Sequence, residues 1–250
     1  MRTRLWVRNV LLVLLGLFFL DTLITGRVTI YVNQSFQWLA GFAGIAFLLL
    51  GIVGIAELMR MPPPDAKDAL ERDPKAHIHG TVPSWPVLTI IAVPLALGIL
   101  VPARPLGASA VNADGLTTSL AVSQQGGATF SIPPSERNMM DWLRAFGNST
   151  DMDEFNGQQA EVVGFVYHDV RLDDKIQFFA MRFIVSCCVA DATSIGLVVE
   201  SPDAAKYTSD GWVKVTGKFQ AQEVAGQRTP VLIADSIESV EQPEHPYLYP

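Results

Sequence analysis

Two residue types that carry much of protein chemistry are scarce in this 250-residue chain. There are two cysteines and four histidines. Two adjacent cysteines cannot build a disulfide framework, and no Cys-x-x-Cys pair is present for dithiol redox chemistry. No histidine pair stands at zincin spacing and no serine nucleophile elbow occurs, so the sequence points away from an enzyme. Charge is also scarce: 17% of residues are Asp, Glu, Lys or Arg, below the roughly 25% of an average soluble domain. Basic residues are outnumbered 18 to 25, a net charge of −7. That balance excludes the basic face a nucleic-acid partner requires.

What remains is apolar and unevenly spread. Long apolar runs lie before about residue 105 and mixed sequence follows. From Ser135 onward there are 18 acidic and 9 basic residues, a net of −9. The division predicts a membrane domain over 1–105, a flexible linker over 106–134 rich in small and polar residues, and a soluble domain over 135–250. Three spans are expected, at about 5–25, 38–59 and 86–101. The first follows Arg2, Arg4 and Arg8, and the second is unbroken by charge until Glu57. The third is short and carries Pro94, tolerable in a bilayer. The connection before the second span holds Tyr31, Phe36 and Trp38, aromatics suited to a membrane interface. Gly41, Gly44, Gly51 and Gly54 permit close helix packing. Basic residues flank the first span and the end of the second, leaving only Arg27 between them. The positive-inside rule then puts the N-terminus in the cytoplasm and, with three crossings, the C-terminal domain outside the plasma membrane. His77 and His79 lie in the polar loop between the second and third spans and read as solvated.

In the C-terminal half Ser135 reads as an N-cap for a helix whose Met139, Trp142, Leu143 and Phe146 form a core stripe. The period then changes to two. Strands are expected at 159–167, 175–186, 193–200, 212–219 and 231–237, with a helical turn near 203–207. This is the plan of an OB-like five-stranded barrel with a preceding helix, so the fold class expected is an α-helical membrane region plus an all-β C-terminal domain. The tail from Gln242 to Pro250, with three prolines, is expected to lie over the barrel surface.

The second strand ends in Phe183-Ile-Val-Ser-Cys-Cys-Val-Ala-Asp191, which holds both cysteines. Their Cα atoms lie about 3.8 Å apart, below the usual range of about 4.4–6.8 Å for disulfides. In a regular strand their side chains diverge, so both reach one ligand only if the backbone turns. Three readings stand: buried core cysteines, a thiophilic metal or metalloid site of Cys187 and Cys188 with Asp191 and His168 assisting, and redox chemistry or an intermolecular disulfide. Zinc is the candidate ion for the second.

The chain resembles the YcgQ-like family, bacterial two-domain membrane proteins. The resemblance rests on Tyr31-Val32, on Val101-Pro-Ala-Arg-Pro-Leu106, and on Gly164-Phe-Val-Tyr167, Arg182-Phe-Ile184, Cys187-Cys-Val-Ala-Asp191 and Trp212-Val-Lys-Val-Thr-Gly217. Tyr167 and Arg182 are therefore marked as signature residues without an assigned role. The resemblance implies a YcgR-type permease as partner, beside the lipid bilayer. The leading expectation is an accessory subunit of a membrane permease whose extracytoplasmic domain captures a thiophilic ion. The alternative is a structural protein-interaction module without ligand chemistry.

Overall fold

A computed structural model describes residues 2–60, 83–111 and 132–250. It divides into two compact units, Met1–Arg104 and Pro105–Pro250. His77, His79 and most of the expected linker lie outside the described residues.

The first unit is helical. Helix α1 runs Arg2–Ile24, α2 Gln37–Arg60 and α3 Trp85–Leu100. Two of the helices are long and apolar enough to cross a membrane, while α3, with 16 residues, is shorter. Gly26, in the left-handed region at φ 72°, turns the chain out of α1. The Asn33 side chain accepts the Ser35 N–H at 2.9 Å and leads the chain toward α2. Glycines let α1 and α2 meet. A Cβ on Gly16 would lie 2.7 Å from the Leu48 side chain, and one on Gly51 would lie 2.6 Å from Val13 Cγ2. Gly54 faces the Asn9 side chain, which is fully buried and receives Arg8 at 3.1 Å. Gly44 and Gly51 stand seven apart, two helical turns, and both meet α1. Small residues at that spacing replace the GxxxG spacing that is absent here.

The second unit is built on a sheet. Helix α4, Met139–Asn148, opens with a reciprocal cap. Asn138 Oδ1 accepts the Asp141 N–H and Asp141 Oδ2 accepts the Asn138 N–H, each at 3.1 Å. The cap is thus Asn138, not Ser135, which sits in the preceding 3-10 turn Pro134–Glu136. Strands β1 (Gln159–Tyr167), β2 (Gln177–Ile184), β3 (Thr193–Glu200), β4 (Trp212–Val224), β5 (Gln227–Ser239) and β6 (Tyr247–Leu248) form one sheet in the order β1-β4-β5-β3-β2-β6. Strand β1 also pairs with β2 over Phe165–Tyr167. Most pairs are antiparallel, but β3–β5 and β2–β6 are parallel.

The expected OB-like five-stranded barrel is therefore corrected to a six-stranded mixed sheet. The sixth strand comes from the proline-rich tail, which enters the sheet beside β2 rather than lying over its surface. The apolar side chains also fall into two clusters. One gathers Trp142, Phe146 and Phe155 with Phe178, Ala180, Ile195, Leu197 and Phe219. The other gathers Phe165, Phe179, Met181, Phe183, Val198 and Tyr247. Successive residues of β2 and β3 alternate between the clusters, so both faces of these strands are buried. Period two alone does not reveal this, because a strand covered on both faces loses its polar side.

Strands β4 and β5 form a hairpin longer than the sequence predicts. Ala225 at φ 50° and Gly226 at φ 79° make its two-residue turn, both in the left-handed region that such tight hairpins require. The hairpin bends at an irregularity between Thr216 and Gly217. A Cβ on Gly217 would lie 2.1 Å from the Ile233 carbonyl oxygen, so only glycine fits the bend.

Candidate functional site

The site is the turn that follows β2, together with the signature arginine inside that strand. Val185 is buried, and its N–H donates to the Leu248 carbonyl at 3.0 Å. Beyond it Ser186 and Cys187 are exposed and Cys188 is half-buried. A short 3-10 turn, Val189–Asp191, brings the chain back toward them. Asp191 closes the turn. Its Oδ1 accepts the Ser186 N–H at 3.0 Å and its Oδ2 accepts the Cys187 N–H at 2.7 Å. Its own N–H donates to the Cys188 carbonyl at 2.9 Å. Capping of this kind is what a short side-chain carboxylate does best in a turn.

With the backbone so folded, the two Sγ atoms lie 3.7 Å apart. The Cys187 thiol donates to Cys188 Sγ. The Asp191 carboxylate first, and the Cys188 thiol second, push the Cys187 thiol up to about 11. Loss of its proton would put two negative charges side by side. The same thiol, then the Cys187 N–H, holds the Asp191 carboxyl below the usual carboxylate range.

The sequence-predicted residues do not converge. His168 Nε2 is 2.8 Å from the Tyr207 carbonyl, and its ring packs against Phe178 of the first apolar cluster. Val185 and Val189, which flank the cysteines, belong to the second. Asp191 spends its oxygens on the turn. Among the described residues no group of three or more His, Cys, Asp or Glu side chains could hold a metal ion. The metal-binding reading of the cysteine pair is therefore corrected: two thiols and one committed carboxylate make too small a ligand set. The reading of core cysteines is corrected as well, because Cys187 is exposed. Tyr167 ends β1 opposite Phe179 and packs against the second cluster.

Arg182 holds a place that sequence reasoning did not foresee. It is 7% exposed and no carboxylate pairs with it among the described residues. Its Nη2 donates to the His245 carbonyl at 2.8 Å, and Nη1 reaches the Val163 carbonyl at 3.4 Å. The guanidinium carbon lies 5.2 Å from the centre of the Trp212 ring, within cation–π range. Among the described residues the Nε finds no partner, nor does the buried Tyr249 hydroxyl. Burial lowers the Arg182 pKa to about 10, and burial raises that of Tyr249. The available signal was the alternation Tyr247-Leu248-Tyr249, which reads as a strand once the prolines are set aside.

Two N-terminal helices of membrane-crossing length, followed in sequence by a capped helix and a mixed sheet, define a two-unit class of protein with a helical half and a sheet half. Comparison with family models gives the class its family. Residues 7–117 match the DUF1980 N-terminal domain and residues 117–250 match the DUF1980 C-terminal domain. The chain belongs to the DUF1980 family. It is 25% identical over 263 residues to a Streptococcus mutans serotype c protein named "Putative two-component membrane permease complex subunit", covering 90% of this chain and 92% of that protein. It is also 29% identical over 98 residues to UPF0703 protein YcgQ of Bacillus subtilis, covering 38% of this chain and 34% of that protein. The relation to YcgQ is thus distant and partial.

Proposed function

We propose that this chain is an accessory subunit of a membrane permease, and that its sheet unit is a protein-interaction module without ligand chemistry of its own. The observation that carries this reading is the streptococcal relative, named as a permease complex subunit, which aligns along both units. The exposed apolar side chains of the first unit, Leu17, Phe42 and Ile45 among them, would face lipid or the transporter. The partner implied by the resemblance to YcgQ-like proteins is a YcgR-type permease.

The topology is part of the proposal. Arg2, Arg4 and Arg8 stay in the cytoplasm with the basic segment after α2, by the positive-inside rule. Helix α3 has 16 residues, about 24 Å of helix against a hydrocarbon core of roughly 30 Å. A shortfall of that size is met by local thinning of the bilayer. With α3 across, the sheet unit is extracytoplasmic.

The test is co-purification of the full-length tagged chain, expressed with a YcgR-type permease and extracted in mild detergent. A stoichiometric complex that withstands high salt supports the reading. A chain that elutes alone, in cells whose permease transports equally well without it, rejects it. A C-terminal alkaline phosphatase fusion reports the topology: activity places the sheet unit outside, and an inactive fusion places it in the cytoplasm.

A further inference from the structure

We propose that Cys187 and Cys188 are a redox-sensitive modification site, which a small-molecule or protein disulfide closes into a reversible bond between adjacent residues. Three observations on the turn support it. The Sγ atoms already lie 3.7 Å apart, under about 2 Å more than the roughly 2.05 Å of a disulfide. Both residues are within reach of a reagent, Cys187 exposed and Cys188 half-buried. The chain has no third cysteine, so within one molecule each thiol has only the other to pair with.

The step balances as two exchanges. Cys188 loses its proton to water, and its sulfur attacks the disulfide R–S–S–R. A Cys188–S–S–R bond forms as the S–S bond of the reagent breaks, and one R–S⁻ leaves and takes up a proton. Cys187 then releases its proton to water, and its sulfur attacks the Cys188 sulfur. The Cys187–Cys188 bond forms, the mixed disulfide breaks and a second R–S⁻ leaves. Two thiols are oxidised and one external disulfide is reduced to two thiols.

Geometry makes this a switch rather than a staple. Neighbouring Cα atoms are held about 3.8 Å apart by the peptide, closer than ordinary disulfides tolerate, and a strained disulfide is easily reduced. Asp191 sets the resting geometry: by accepting the Ser186 and Cys187 N–H groups it holds the turn in which the two sulfurs lie side by side. That turn begins one residue past Val185, whose N–H holds the tail strand at Leu248.

The test uses the full chain in detergent micelles, titrated with oxidised glutathione, quenched in acid and alkylated, then read by intact mass and non-reducing electrophoresis. The expected result is a monomer that has lost both alkylatable thiols, carries no glutathione, lacks two hydrogens and recovers both thiols in dithiothreitol. Cys187→Ser is expected to stop with one glutathione on Cys188. Asp191→Asn, which keeps one acceptor oxygen for the two backbone N–H groups, is expected to close several-fold more slowly. Disulfide-linked dimers, stable adducts on both cysteines, or two thiols that survive the titration would overturn the proposal. An unchanged rate in Asp191→Asn would overturn the role assigned to the carboxylate.

Discussion

Replacing Arg182 by methionine tests whether the buried guanidinium stabilises the sheet unit. Arg182 is 7% exposed, no carboxylate pairs with it among the described residues, and burial lowers its pKa to about 10. At about 1.4 kcal/mol for each pH unit, the folded state bears a cost of roughly 3 kcal/mol for keeping the charge. Against this stand the bond to the His245 carbonyl, worth about 1.5–3 kcal/mol for a charged donor, and the contact with the Trp212 ring, about 0.5–2 kcal/mol. Methionine keeps the length of the stem and a favourable sulfur contact with the ring. These contributions nearly cancel, so Arg182→Met is expected to change stability by no more than about 2 kcal/mol, as replacing buried charges by apolar isosteres is often near neutral. Arg182→Ala, which also removes the packed stem, is expected to lose stability. The sign with pH follows. A base whose folded pKa is depressed carries its whole penalty below that pKa and sheds it only as the pH rises above about 10. The difference between wild type and Arg182→Met should then be flat from about pH 5 to pH 9. Pulse proteolysis of the full chain in urea measures it. A loss of more than about 2 kcal/mol in Arg182→Met would refute the reasoning, since the charge would then be a net stabiliser.

Other expectations follow from the packing. Trp142→Ala empties a fully buried site among Phe146 and Phe219 and should cost about 3–5 kcal/mol, read by the same proteolysis. Gly51→Leu drives a side chain into Val13 and the Asn9 carbonyl. It should separate α1 from α2 and lower the thermal midpoint in micelles by several degrees, as overpacking does at about 1–3 kcal/mol. The Arg171 guanidinium holds the buried Asp169 carboxyl below its usual range. Its contribution is present above about pH 4 and lost as the pH falls through the lowered value. Asp169→Asn should flatten the acid limb of the stability curve.

The long apolar runs were legible because their chemistry and their length coincide: α1 and α2 occupy the runs, and little else fits there. The strands of the sheet unit were placed by their period where one face is open, in the first half of β1 and the start of β4, and by their apolar runs elsewhere. What the period could not supply was the partner of each face. Phe178 and Phe179 are adjacent, yet each is buried in a different cluster, and no one-dimensional pattern separates that from a single core. The β4–β5 hairpin was under-read because Ala225-Gly226 is a weak turn signal beside Asn-Gly, although the backbone adopts the same left-handed pair. The cysteine turn was half legible. Asp191 was singled out as a ligand, and it serves instead as the clasp that brings the thiols together.

That two-residue turn at Ala225 and Gly226 also works as a reading frame. Thirteen residues of β5 take their facing from it, with Val224 opposite Gln227 and Gln222 opposite Thr229. One residue inserted at the tip would advance the frame by one, sending Val231 and Leu232 to the faces now held by their neighbours. Arg228, paired across to Asp153, would leave its partner in the same step. Length at this tip is thus a specification of sequence meaning, and insertions should be tolerated there in even numbers before odd ones.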